Sequence, residues 1–158
     1  AEIYFEGEVQ QMKRIFAMLI SLLLTASLLT ACGGQTGLQD GYYTAQASAF
    51  SHGWKEYITI LVKGGSIVSV EYNAENASGF IKSWDNAYMQ NMLHSNGTYP
   101  NEYTRNYANQ LLEKQGEGSI DAITGASSSH ASFQILAQAV LEQARKGDSS
   151  IAVVDTAH

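Results

Sequence analysis

The sequence predicts an α+β fold: an antiparallel β-meander packed against helices, with a C-terminal helix that begins at an anion-binding turn. Two periodicities and one short motif predict it. From Trp54 to Val62 the residues alternate, with Ile58, Ile60 and Val62 on one face and Tyr57, Thr59 and Leu61 on the other, the period of a half-buried strand. From Phe133 onward, Phe133, Leu136, Ala137, Val140, Leu141 and Ala144 recur on one face of a helix. Directly before that helix stands Asp121-Ala122-Ile123-Thr124-Gly125-Ala126-Ser127-Ser128-Ser129, which puts a cluster of hydroxyls at its N-terminus. There, backbone N–H groups and the helix dipole attract anions. Gly125 and Ala126 have little or no side chain to obstruct a ligand approaching the backbone.

The elements follow in order. Asp40-Gly41 opens a first strand, Tyr42 to Ala49. After the alternating strand, Lys63-Gly64-Gly65-Ser66 makes a hairpin turn, because Gly-Gly supplies the positive φ that tight turns need. Ile67 to Tyr72 returns as its partner, with Val68, Val70 and Tyr72 on a shared face. Asn73–Ile81 reads as a polar loop around Gly79. A helix from Trp84 to Leu93 places Trp84, Tyr88, Met89 and Met92 on one side and ends at Asn96-Gly97. A second helix starts at Thr98 or Tyr99, has Pro100 in its first turn, and runs to about Lys114. Ser119 to Thr124 is a final strand or an extended entry to the motif. The last helix, Ser127 to Lys146, finishes with Arg145, Lys146 and Gly147, a cationic last turn and a glycine stop. In the tail, Ile151–Val154 either adds an edge strand or is loose.

At 158 residues the chain suits one domain plus an export segment. Its net charge of −6 argues against nucleic acid or an anionic lipid surface as partner. Nine tyrosines and two tryptophans supply amphipathic rings that suit a planar aromatic ligand or an ordinary half-buried sheet. Met12-Lys13-Arg14 and the apolar run Ile15 to Ala31 have the form of a signal peptide. The alternative is an uncleaved anchor, near the lower length limit for spanning a bilayer. The run ends in Leu29-Thr30-Ala31-Cys32, which resembles the lipobox of bacterial lipoproteins. That resemblance implies lipidation of Cys32 and a domain that is extracytoplasmic and lipid-anchored to the membrane. Cys32 is the sole cysteine, so no internal disulfide forms. The expected organisation is an upstream segment over 1–11, a signal peptide over 12–31, a Gly-rich tether over 32–39, the domain over 40–147 and a tail over 148–158.

On its own residues, Asp121 to Ser129 is open to two readings. It is a strand-to-helix turn with a serine N-cap, or a phosphate site in which Ser127 is the N-cap and Ser129 lies in the first turn. The motif resembles the flavinylation motif of FMN-binding domains, Asp-x-x-Ser/Thr-Gly-Ala-Ser/Thr-x-Ser/Thr. The segments from Asp40 to Tyr72 resemble that family's opening meander, so the likeness extends from Asp40 to about Lys146. Such domains occur in Rnf-type and sodium-pumping oxidoreductases and in lipoproteins used for extracellular electron transfer.

The resemblance implies FMN as the cofactor, joined through its phosphate to Ser129 by a separate flavin transferase. Asp121 and Thr124 then belong to the recognition pattern, and Gly125, Ala126, Ser127 and Ser128 form the turn at the flavin phosphate site where the C-terminal helix starts. Two details depart from the commonest form: Ser129 stands where Thr is frequent, and His130 follows where Ser is frequent. The His130 imidazole either approaches the flavin phosphate or is an ordinary exposed helical residue.

The implied function is that of an electron carrier rather than an enzyme, or an accessory subunit of an oxidoreductase. Its flavin would pass electrons from a membrane redox donor to an external acceptor. Trp84, Tyr88, Tyr103, Tyr107 and Phe80 are the aromatic residues that either stack on the flavin ring or pack in the core, and Ser78-Gly79-Phe80 offers a close approach for the ring edge. Two alternatives stay open: a domain that holds FMN without a covalent bond, and a flavin-free lipoprotein that binds a wall polymer or peptide. A serine hydrolase is disfavoured, since Gly125-Ala126-Ser127-Ser128-Ser129 lacks the second glycine of a nucleophile elbow. His52 and His94 have no second ligand at metal-binding spacing, so no metal is expected.

Overall fold

A computed structural model of the chain describes residues 37–156. The expected upstream segment, the signal peptide, Cys32 and most of the tether lie outside the described residues. Three antiparallel strands form the meander: β1 Gly41–Ala47, β2 Lys55–Lys63 and β3 Ser66–Glu75. A 3-10 turn over Lys82–Trp84 leads to α1 Asn86–Asn96, α2 Pro100–Lys114 and α3 Ser127–Lys146. A short β4, Ala152–Val154, ends the fold. The sheet order is β3-β2-β1-β4, with β4 parallel to β1. Of the two readings of the tail, the edge strand is the one that forms.

Alternation in β2 does what its pattern implies: Ile58, Ile60 and Val62 are fully buried. The hairpin turn has φ of +60° at Gly64 and +73° at Gly65, the left-handed pair that only glycine adopts without strain. Asp40 fastens this turn from the start of β1, its Oδ1 accepting the Gly65 N–H at 2.9 Å. That bond, with a second from Gly64, holds the Asp40 carboxyl below its ordinary range.

β3 corrects one expectation. Val62 pairs with Ile67 while Leu61 pairs with Ser69, so Val68 is the extra residue of a β-bulge. The bulge flips the alternation: Ile67 and Tyr72 are buried and Val68 is exposed, so Val68 does not share a face with Tyr72. No strand forms over Ser119–Thr124; the segment is an extended entry to the motif.

Helices cover one face of the sheet, α2 against β3 and α3 against β1 and β2. The six apolar positions read from the α3 pattern are all buried. They meet Tyr103, Tyr107 and Leu111 of α2 and Tyr43, Ile58 and Ile60 of the sheet in one core. Each large side chain so buried stabilises the fold by about 1.5–3 kcal/mol. The last tether residues belong to this domain: Leu38 is buried, and the Gln39 N–H donates to the Ala144 carbonyl at 2.9 Å, capping the C-terminal end of α3.

Candidate functional site

The motif turn is built by the core beneath it. Tyr107 is fully buried in α2, and its hydroxyl accepts the Ile123 N–H at 3.1 Å and donates to the Ala126 carbonyl at 3.2 Å. Gln110, one turn on, pairs with the Asp121 backbone through both ends of its amide, at 2.6 and 3.1 Å. From the other side the Asn96 amide donates to the Gly125 carbonyl at 3.1 Å. The turn is thus held from α1 and α2 while its outer surface stays open.

Gly125 has φ +84°, and a Cβ there would drive into the Asn96 backbone carbonyl. The reason for glycine is therefore the close approach of α1, not room for a ligand. Ala126 is buried and serves as the N-cap of α3 with no side chain to cap it. Ser127 is therefore the first residue of the helix rather than its cap, which places Ser128 second and Ser129 third. Three serines lie in the first turn, and the capping position itself offers no side-chain acceptor to the first-turn N–H groups.

Ser127, Ser128 and Thr124 are exposed, whereas Ser129 is only 8% exposed. The Tyr72 hydroxyl lies 3.0 Å from the Ser129 backbone carbonyl and 2.8 Å from Glu56 Oε1. Asp121 is the opposite case: its side chain is 82% exposed, with one ion pair to Lys114 at 3.6 Å. His130 is half-buried rather than an exposed helical residue. Its Nε2 lies 2.8 Å from the Ile120 carbonyl and its ring sits 5.6 Å from that of Tyr107, so it braces the entry to the turn.

Beyond Tyr103 lies a group that the sequence did not single out. Lys82 is half-buried, with its Nζ 4.9 Å from the Tyr88 ring centre and 5.9 Å from that of Trp54. Trp54 and Tyr88 themselves meet edge to face at 6.0 Å. Burial pushes the ammonium towards a lower pKa, but the Tyr103 and Tyr88 oxygens and the Glu56 carboxylate together hold it above the ordinary lysine value. The segment carrying Lys82 is fixed from β3: Asn73 Nδ2 donates to Ser83 Oγ at 2.8 Å, and Ile81 bridges to Glu75. Asn76 Oδ1 ties the loop before it, accepting the N–H groups of Ser78 and Phe80 at 2.9 and 3.0 Å. A lone lysine in a polar loop carries no sequence signal; only folding brings it beside Trp54 and Tyr88.

The expected ring partners divide. Tyr103 and Tyr107 are core residues, Tyr88 is half-buried beside Lys82, and Phe80 and Trp84 are exposed, Trp84 at 67%. Trp84 lies in the 3-10 turn before α1, so it does not share a helical face with Tyr88 and Met92.

Burial raises the pKa of Tyr72 well above the ordinary value of 10.0, and raises those of Tyr103 and Tyr107 as well. Between the unfolded and folded values the unfolded chain has lost protons that the folded chain keeps. Stability is therefore expected to be unchanged by these groups below pH 10 and to fall as pH rises above it. Thermal melting from pH 8 to 12 checks this, with a shallower alkaline decline in Tyr72→Phe; an identical decline in that variant would remove Tyr72 as a cause.

The fold and site define a small α+β domain with a hydroxyl cluster at the start of its longest helix. No family model matches the chain. It is 36% identical over 127 residues to the 15 kDa lipoprotein of Treponema pallidum (strain Nichols), a match covering 80% of this chain and 89% of that protein. The chain belongs to the family of that lipoprotein. Among solved structures it is similar to the CPE2226 protein of Clostridium perfringens, with 36% identity, a TM-score of 0.70, and coverage of 75% of this chain and 98% of that one. A protein of Clostridium thermocellum solved by NMR is 33% identical over 68% of this chain and 92% of its own, with a TM-score of 0.45.

Proposed function

We propose that the protein is an FMN-carrying electron-transfer lipoprotein, with the flavin phosphate esterified to Ser129. The observation that carries the reading is the fit of the Asp121–Ser129 motif to its surroundings. The third serine of the α3 start is the one whose backbone carbonyl accepts from the buried Tyr72 hydroxyl, while Asp121 and Thr124 stand exposed where a modifying enzyme can read them. The donor set suits a phosphate ester: first-turn N–H groups, the flanking hydroxyls of Ser127 and Ser128, and the positive end of a 20-residue helix dipole. That dipole favours the anion by on the order of 1 kcal/mol before direct hydrogen bonds are counted.

FMN supplies one- and two-electron transfer when bound; the protein supplies attachment and electrostatics. Electrons would enter from a membrane redox donor and leave to an external acceptor. Kinship with a lipoprotein supports acylation at Cys32 and an extracytoplasmic, lipid-anchored domain. A covalent link suits that location, where a dissociable cofactor is lost by dilution.

The test is the intact mass and visible spectrum of the chain co-expressed with a flavin transferase. The expected result is a yellow protein heavier by one FMN ester. A second reading, FMN held without a covalent bond, is favoured by the burial of Ser129. Its signature is an unshifted mass with flavin released on denaturation, which would overturn the ester. A colourless protein would overturn both readings and favour a flavin-free lipoprotein.

A further inference from the structure

We propose that the loop end of the domain, anchored by Phe50, Phe80 and Trp84, is a docking surface for a protein whose contact face is apolar at its centre and basic at its rim. The inference goes beyond the flavin reading and does not require it.

Among the described Phe and Trp residues, Trp54 and Phe133 are buried, while Phe50 is 51%, Phe80 44% and Trp84 67% exposed. The three exposed rings stand in connections at one end of the sheet. Phe50 lies between β1 and β2, its ring centre 6.0 Å from the Lys55 ammonium. Lys55 pairs with Glu75, and Glu75 bridges to Ile81, the neighbour of Phe80. The Trp84 N–H donates to the Ile81 carbonyl at 3.0 Å, so the rings sit on adjoining segments. This is also the end of Ser129, because Tyr72 joins the Ser129 carbonyl to Glu56, next to Lys55. Single exposed apolar side chains are ordinary, but a group of aromatic rings on loops is the composition of a binding surface. Asn73 and Asn76 fix the segment from Asn76 to Ser83 by side-chain hydrogen bonds, so Phe80 loses little freedom on docking.

Charge and reach select the partner. Glu56, Glu71, Glu75 and Asp85 stand at this end against Lys55 and Lys82, and Lys82 is half-buried over Tyr88. An acidic rim fits a basic one, and it repels a second copy of itself. It also disfavours an anionic lipid surface. Reach disfavours any lipid surface. Gln39 is fixed at the opposite end of α3, its N–H donating to the Ala144 carbonyl. α3 has 20 residues, about 30 Å of helix. Cys32 lies seven residues before Gln39, a span of at most about 25 Å when fully extended. With acylation at Cys32, as proposed above, burying the loop tips in the bilayer needs a longer tether than that. The rings therefore face away from the membrane, towards another protein.

Calorimetric titration of the full chain in phosphatidylcholine nanodiscs with cytochrome c, a basic protein with an apolar haem edge, tests the surface. Wild type is expected to bind at low ionic strength and to lose about tenfold or more in affinity between about 10 mM and about 0.5 M salt. The double variant Phe80→Ser/Trp84→Ser is expected to bind about tenfold or more weakly at low salt, the scale of lost anchors. Tyr42→Ser is the control: Tyr42 is 67% exposed but lies near the hairpin end of β1, paired with Leu61, and its loss is expected to leave affinity unchanged. No binding by wild type, or equal affinity in wild type and the double variant, overturns the proposal. Should the double variant not fold, the Trp84 indole resonance decides, since the chain has two tryptophans and the other is buried. It is expected to shift with cytochrome c, and an unmoved resonance overturns the surface. Broadening of that resonance by nitroxide-labelled lipid assigns the rings to the membrane, and self-association that the double variant abolishes assigns them to a second copy; either result overturns the proposal. The chain is prepared without flavin transferase, so failure to gain the ester overturns the flavin reading alone and failure to dock overturns the surface alone.

Discussion

Ser129→Ala is expected to abolish the flavin ester completely while leaving the fold intact. The substitution removes the one buried hydroxyl of the three first-turn serines. Tyr72 keeps its bonds to Glu56 and to the backbone carbonyl at position 129, so the loss in stability is about 1 kcal/mol, a few degrees in melting temperature. Intact mass after co-expression with a flavin transferase reads the outcome directly. Ser127→Ala and Ser128→Ala are the controls: both side chains are exposed, and the mass shift is expected to survive each change. An ester that persists in Ser129→Ala and disappears in Ser128→Ala would move the attachment to the outer face of the turn.

That prediction depends on a position that the motif could name but not surround. Period-two alternation in β2, the Gly64-Gly65 turn and the 3.6-residue stripe of α3 are local signals, and the structure realises them at the expected residues. Local pattern fails where a single residue changes register. Val68 reads as inward from spacing alone, yet as the bulge residue it points outward, and Tyr72 reaches Ser129 only because the alternation is reset after it. The same limit applies to Lys82. Asn73 and Asn76 position it through side-chain bonds that composition cannot foretell, and Glu56 joins from a neighbouring strand. Ser127 shows the converse error. Serine is a favoured N-cap, but buried Ala126 holds that position because Tyr107 fixes its carbonyl, and tertiary packing overrides the local preference.

Gly125→Ala is expected to be the most damaging single-atom addition in the turn, lowering stability by roughly 2–5 kcal/mol and flavin loading with it. Two costs combine. The left-handed backbone at φ +84° disfavours any Cβ by about 1–2 kcal/mol, and overpacking against a fixed neighbour adds about 1–3 kcal/mol. The neighbour here is the Asn96 backbone, whose carbonyl carbon and Cβ both lie 3.1 Å from the new atom, and backbone cannot rotate away as a side-chain tip would. Relief requires α1 to move off the turn, which breaks the Asn96–Gly125 hydrogen bond and shifts Ser127 to Ser129 relative to Tyr103. Gly118→Ala separates the two costs. Gly118 has φ +73° with open space around it, so its variant feels the torsional term alone. Chemical denaturation of both variants is expected to show Gly125→Ala the less stable by the overpacking term. Equal midpoints would reduce the requirement at Gly125 to backbone conformation. Loading distinguishes the effect from chemistry at the acceptor: Ser129→Ala loses the ester at near wild-type stability, whereas Gly125→Ala loses ester and stability together.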